Sequence, residues 1–208
     1  MLAVDFAEDM LTICRRRTAH LDNVEVVRGD GQALTLDRAF DAAFSMFGLI
    51  FFPDRAAGFE SLYRALVPGG VAVVSCWPPP HRSSAMAVGI GALSAAFPDA
   101  PAPEPPQFPL NTAALLRGEL EQAGFVDVEV REEVMTFQQD AEALWRGITD
   151  GYAPIALARQ TLSQEIWSAA EARGLAWLRA NHGPSDSLSY IALIGRGRRP
   201  QQEGASNG

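Results

Sequence analysis

Along the first 77 positions, short apolar blocks alternate with stretches whose apolar residues recur every three or four positions. Met1-Leu2-Ala3-Val4 ends at Asp5 and reads as the tail of a buried strand. From Glu8 the spacing of Met10, Leu11 and Cys14 predicts a helix. Its acids come first and Arg15, Arg16 and Arg17 come last, as the helix dipole favours. Val24 to Val27 predicts a second strand closed by Gly29-Asp30-Gly31, and Phe40 to Phe47 a third. Phe59, Leu62, Tyr63 and Leu66 share one face of a helix predicted over 54–66. Pro68-Gly69-Gly70 is expected to stop that helix before a fourth strand, Val71 to Cys76. Strand–helix–strand alternation with nearly continuous apolar strands implies a mostly parallel sheet covered on both faces.

After Cys76 the rhythm breaks. Nine of the 14 prolines lie between Pro78 and Pro109, around an apolar helical stretch from Ala85 to Phe97. Met86, Ile90, Leu93 and Phe97 keep helical spacing there, which favours a lid or insertion over a linker. Asn111 is expected to cap a helix that runs through Ala123 and stops at Gly124. Val126 to Val130 alternates in period two, as a strand with one wet face does. Residues 140–182 read as two or more helices, Leu188 to Ile194 as a last strand, and Gly204 to Gly208 as a frayed tail. The expected organisation is a core over 1–77, a proline-rich lid over 78–110, completing helices and strands over 111–198, and a tail over 199–208.

Composition narrows the partners. With 48% hydrophobic and 20% charged residues the chain is globular, and a net charge of -8 argues against a partner held through phosphates. All 17 basic residues are arginine, which speaks of genome composition rather than of function. Two cysteines, Cys14 and Cys76, are too few for a disulfide framework or a cysteine metal site. No basic region followed by an apolar stretch opens the chain, and no apolar run is long enough to span a bilayer. The expectation is a cytoplasmic protein with no membrane span, no nucleic-acid partner and no metal.

Ligands of an open parallel sheet bind beyond the carboxyl ends of its strands, and three polar residues stand at those ends: Asp5, Asp30 and Ser45. A carboxylate at the first can accept hydrogen bonds from both hydroxyls of a ribose, and one at the second from an adenine amino group. Each also has a plain reading, Asp5 as a helix cap, Asp30 as a turn residue and nearby Met10 as core.

The segments Val4-Asp5-Phe6-Ala7-Glu8-Asp9-Met10-Leu11, Gly29-Asp30-Gly31-Gln32-Ala33-Leu34 and Phe40-Asp41-Ala42-Ala43-Phe44-Ser45 follow one another in a telling order. Phe47-Gly48-Leu49-Ile50-Phe51-Phe52-Pro53-Asp54 and Leu66-Val67-Pro68-Gly69-Gly70 continue it, and Leu120 to Val130 extends it. Together they resemble class I S-adenosylmethionine-dependent methyltransferases, in particular the small-molecule branch of ubiquinone and menaquinone biosynthesis. The resemblance implies a Rossmann-like, doubly wound α/β fold with S-adenosylmethionine as cofactor. It implies that Asp5 binds the ribose hydroxyls, with Phe6 and Met10 flanking the adenine. Asp30 would meet the adenine amino group, with the Gly31 amide near the ring. Ser45, Met46 and Phe47 would line the methionine end, while Asp41 would be structural.

One element of the family pattern is missing. Its glycine-rich loop should precede Asp5 by roughly 20 residues, yet only four residues precede Asp5, and no G-x-G-x-x-G stands between a strand and a helix. The expectation is an N-terminally truncated fold that binds the cofactor poorly. Strands ending at Asp5 and near Ser45 would then lack a neighbour, which invites a homodimer by edge pairing.

The acceptor is narrowed by elimination within that family. The Asn/Asp-Pro-Pro-aromatic motif of nucleic-acid amino methylation, the Pro-Cys pair of cytosine-carbon enzymes and the paired glutamates of protein-arginine enzymes have no counterpart; Ser45-Met46-Phe47-Gly48 and Cys76-Trp77-Pro78 stand in their places. A small, apolar acceptor is expected, walled by Phe47 to Phe52 and Met86 to Phe97 unless those stretches are core. No catalytic residue is assigned. His81 could serve as a base or be a loop residue, His20 and His182 read as surface residues, and Trp145 and Tyr152 could line a pocket or pack the core. Two further readings stay open: a non-catalytic fragment or interaction subunit, and a nicotinamide-dependent oxidoreductase. The Gly29-Asp30-Gly31 and Phe47 to Asp54 segments speak against the last.

Overall fold

A computed structural model describes residues 1–36, 39–100 and 109–201. The expected lid residues 101–108 and the expected frayed tail from Gly204 lie outside the described residues. Strand β1 (Leu2–Asp5) pairs in parallel with β2 (Glu25–Arg28), from Leu2 opposite Glu25 to Asp5 opposite Arg28. Helix α1 (Glu8–Thr18) crosses between them, with Arg15 reaching Glu8 at 2.6 Å and Leu11 buried beneath. A second sheet has the order β3 (Phe40–Met46), β4 (Leu66–Cys76), β6 (Leu188–Arg198), β5 (Val126–Phe137). Strand β4 runs parallel to β3 and antiparallel to β6. The fold is a Rossmann-like α/β arrangement with a mixed sheet. Among the described residues no strand stands between β1 and β3, so the two sheets are separate.

The chain divides into two compact units, one of Met1–Cys76, Thr112–Arg131 and the chain from Leu193 on, the other of Trp77–Asn111 and Glu132–Ala192. In the first, α2 (Arg55–Ala65) starts where the Asp54 carboxylate accepts from Ala57 N at 3.0 Å. Helix α4 (Ala113–Gln122) packs on β6, where Gly195 leaves room for Leu116 and Leu120, both fully buried. In the second, α3 (Ser84–Ala96) and α7 (Gln164–Asn181) meet through small residues, Gly91 under the ring of Trp177 and Ala92 and Ala170 in the core. The Arg173 guanidinium donates twice to Ala96 O, at 3.0 and 2.6 Å, and so caps the α3 carboxyl end. Helices α5 (Ala141–Gly151) and α6 (Ala153–Thr161) complete it.

Four expectations need correction. Strand β4 begins at Leu66, because Gly69 at φ +84° lets the chain bulge outward while its N–H donates to Arg199 O at 2.9 Å. The cap of α4 is Thr112, whose hydroxyl accepts from Leu115 N at 3.2 Å, rather than Asn111. His182 is buried rather than at the surface: one ring nitrogen lies 2.9 Å from Gln139 O and the other 3.7 Å from an Asp186 oxygen. Strand β3 is not covered on both faces. Phe44 is 64% exposed and Met46 58%, in keeping with its place at a sheet edge.

Candidate cofactor site

The carboxyl ends of β1 and β2 lie side by side. Asp5 ends β1 opposite Arg28, and its carbonyl accepts from Gly29 N at 3.0 Å, tying the two strand ends together. One Asp5 carboxylate oxygen accepts from Ala7 N at 2.8 Å. The other has no protein donor among the described residues. Asp5 does not cap α1, since that position belongs to Ala7. Phe6 (72% exposed) and Met10 (54%) are both exposed, so Met10 is not core.

Asp30 sits two residues beyond β2, with its carboxylate engaged by Gln32 N at 2.9 Å and by the Gln32 amide nitrogen at 3.2 Å. The Gln32 amide oxygen in turn accepts from Asp54 N at 2.8 Å. Gly31 has to be glycine because a Cβ there would stand 2.5 Å from the ring of Phe52. The same ring lies 2.6 Å from the Cβ position of Gly58 on α2. Phe52 is thus held between two glycines.

At the end of β3, Ser45 Oγ accepts from Leu49 N at 3.3 Å, and the sulfur of the half-exposed Met46 lies 3.9 Å from the Ser75 hydroxyl. Phe47 takes a left-handed backbone, φ 57°, rare for a bulky residue and typical of strained functional turns. Ser75, fully buried on β4, holds it there by accepting from Phe47 N at 2.9 Å. Asp5, Phe6, Met10, Asp30 and Gly31 therefore gather at one sheet, and Ser45, Met46 and Phe47 at the other. Gln32, Phe52 and Ser75 were not assigned roles from the sequence, and only their places within the quoted motifs or beside a strand end could have pointed to them. His81 lies exposed in a single 3-10 turn, Trp145 is core at 2% exposed, and Tyr152 is half exposed, none of them beside these strand ends in the chain.

A pair of carboxylates at adjacent strand ends, one with an open oxygen, fits the nucleoside half of S-adenosylmethionine. No glycine-rich loop among the described residues offers amides to the methionine half.

Residues 1–70 match a family described as a methyltransferase domain. Demethylmenaquinone methyltransferase of Staphylococcus epidermidis is 38% identical over 71 residues, which are 34% of this chain and 30% of that protein. The Staphylococcus saprophyticus enzyme is 39% identical over 74 residues, 35% and 32% of the two chains. The chain thus spans about a third of the length of these relatives. Among solved structures, YcgJ protein from Bacillus subtilis matches 96% of this chain and 82% of its own with a TM-score of 0.56 at 14% identity. Haemonchus contortus phosphoethanolamine N-methyltransferase 2, solved with S-adenosyl-L-methionine, matches 96% and 43% with a TM-score of 0.53 at 18% identity. Those likenesses show the fold. Residues 1–70 are thus similar to a methyltransferase domain. Within about the same stretch the similarity extends to demethylmenaquinone methyltransferases.

Proposed function

We propose that this chain transfers the methyl group of S-adenosylmethionine to a small, largely apolar acceptor. The observation that carries the proposal is the open Asp5 carboxylate oxygen at the end of β1, beside Asp30 at the end of β2, inside the segment that matches methyltransferases. Asp5 would accept from the two ribose hydroxyls, with Phe6 and Met10 against the adenine and Asp30 and the Gly31 amide at its edge. Ser45, Met46 and Phe47 would line the methionine end. The cofactor supplies a methyl group on a positively charged sulfur, so the chain's task is to hold an acceptor in line with it. Demethylmenaquinone in the names of the relatives supports a small apolar acceptor. The homodimer belongs to the same reading, with the outer edge of β3 as the pairing surface.

Titration calorimetry of the whole chain with S-adenosylhomocysteine tests the site. Binding is expected to be weak, because amides of a glycine-rich loop are missing from the described residues. Asp5→Asn keeps an acceptor for Ala7 N but loses the charge. A charge-assisted hydrogen bond contributes about 1.5–3 kcal/mol, so affinity should fall by about ten-fold or more. An affinity left unchanged by Asp5→Asn, or no heat from the parent chain up to millimolar ligand, would refute the assignment.

A further inference from the structure

The unit made of Trp77–Asn111 and Glu132–Ala192 contains a cavity of about 340 Å³ that the cofactor reading does not use. Its walls are Val88 and Gly89 of α3, Phe137 of β5, Leu144 and Ile148 of α5 and Tyr190 of β6. We propose that this cavity is a binding site for a flat, apolar ring system carrying one hydroxyl or carbonyl oxygen. As a ring-binding site it stands independently of the methyl-transfer reading.

Helical glycines are the first argument. Gly89 lies in the middle of α3 and Gly147 within α5, where glycine weakens a helix relative to alanine. Packing gives no reason for either. A Cβ on Gly89 would meet only Ile148 at an ordinary 3.7 Å, and one on Gly147 would meet nothing within 4 Å. Both residues line the cavity. The contrast lies in the same unit: Gly91 and Gly174 are required, because a Cβ would stand 2.4 Å from the Trp177 ring and 2.3 Å from the Trp145 ring. Gly89 and Gly147 keep space open instead of making contact.

Chemistry of the walls is the second argument. None of the ten lining residues is charged, so an ionic ligand or a phosphate would find no partner there. Phe137 and Tyr190 stack at 5.5 Å with an interplanar angle of 22°, offering aromatic surface for a flat partner. The Tyr190 hydroxyl finds no hydrogen-bond partner among the described residues. Burial pushes its pKa up, so it stays a neutral donor across the physiological range. Known small-molecule pockets begin at about 300 Å³, so the volume here suits one or two fused rings.

The probe is 1-naphthol, titrated into the full chain by calorimetry, with S-adenosylhomocysteine in a separate titration. Binding should saturate below about 1 mM, as a compact ring ligand in a preformed pocket allows. Gly89→Leu should weaken it at least ten-fold with Tm equal to or above the parent. Gly147→Leu does the same if the first variant fails to fold. Tyr190→Phe should lower affinity for 1-naphthol relative to naphthalene by several-fold. No saturation by the parent, or unchanged affinity in a folded leucine variant, overturns the proposal. Naphthol binding without S-adenosylhomocysteine binding leaves the pocket standing and refutes the methyl-transfer reading; the reverse result does the opposite.

Discussion

Gly174→Ala offers a sharp test of how the second unit is packed. Gly174 is buried in the middle of α7, and an added Cβ would stand 2.3, 2.6 and 2.9 Å from three carbons of the Trp145 ring. Trp145 is 2% exposed and leans on Trp167, ring centroids 6.3 Å apart, so its indole has nowhere to retreat without moving a second one. Its Nε1 is buried without a partner, so packing alone sets the position of the ring. Two effects oppose each other. Alanine gains about 1 kcal/mol over glycine in a helix interior. Overpacking costs about 1–3 kcal/mol, and a gap of 2.3 Å, well inside the roughly 3.5–4.0 Å optimum for carbon contacts, puts this site at the upper end. The net loss is about 1–2 kcal/mol, which lowers Tm by roughly 2–8 °C in a chain of this size. Urea unfolding followed by tryptophan fluorescence is the assay, because all four tryptophans belong to the second unit. Gly118→Ala in α4, with nothing within 4 Å, is the control and should not destabilise. A Gly174→Ala protein as stable as its parent would show that the close approach of α7 to Trp145 is wrong.

Two other outcomes follow from single residues. Burial pushes the Cys76 thiol up to about 12, while Cys14 is only half-buried. One thiol should therefore react with Ellman's reagent in the native chain at pH 8 and the second only on unfolding; two fast thiols would contradict the fold. Above pH 9 the unfolded Cys76 ionises and the folded one does not, so its contribution to stability is present below the unfolded pKa and lost as pH rises toward 12. For the homodimer, antiparallel pairing of two β3 edges about Ala43 sets Asp41 opposite Ser45 and Ala42 opposite Phe44, with no like charges facing. Paired Cα atoms there would be about 4.5–5.5 Å apart, within disulfide range, so Ala43→Cys should give a covalent dimer on a non-reducing gel. A parent chain that is monomeric by light scattering at about 100 μM, well above a typical specific affinity, would exclude the pairing.

Legibility in the sequence tracked how local each cause was. Helix α1 was readable because its period, its early acids and its late arginines all lie within eleven residues. Gly124 was readable as a stop for the same reason, and its φ of +93° is the left-handed turn that glycine permits. The start of β4 was not. Pro68-Gly69-Gly70 is a turn signal by every local rule, but whether the turn ends a strand or bulges from it depends on Arg199, which exchanges backbone hydrogen bonds with Gly69 and Gly70 from far along the chain. Burial of His182 likewise depends on the Gln139 carbonyl, which only the folded unit brings near. At Asn111-Thr112 two good caps stood next to each other, and the backbone, not the residue type, chose between them.

The candidate site shows the same limit in sharper form. The placement of Asp5 at the end of β1 and of Asp30 just beyond β2 was legible, because the short apolar run before each marks a strand. What holds those ends against the rest of the first unit was not. The two sheets share no ladder between β1 and β3 among the described residues, so their relative placement near the site has to be carried by side chains. Gln32 does this with one amide, its nitrogen on Asp30 and its oxygen on Asp54 N at the start of α2. Phe52 does it with one ring, seated between Gly31 beside β2 and Gly58 on α2. Neither link is exchangeable for a generic apolar contact: a Cβ at Gly31 or Gly58 would displace the ring, and loss of the Gln32 amide would cut the side-chain link between Asp30 and Asp54 N. The adenine end of the proposed site is therefore positioned from α2 as much as from its own strands, a dependence that runs through one amide and one ring.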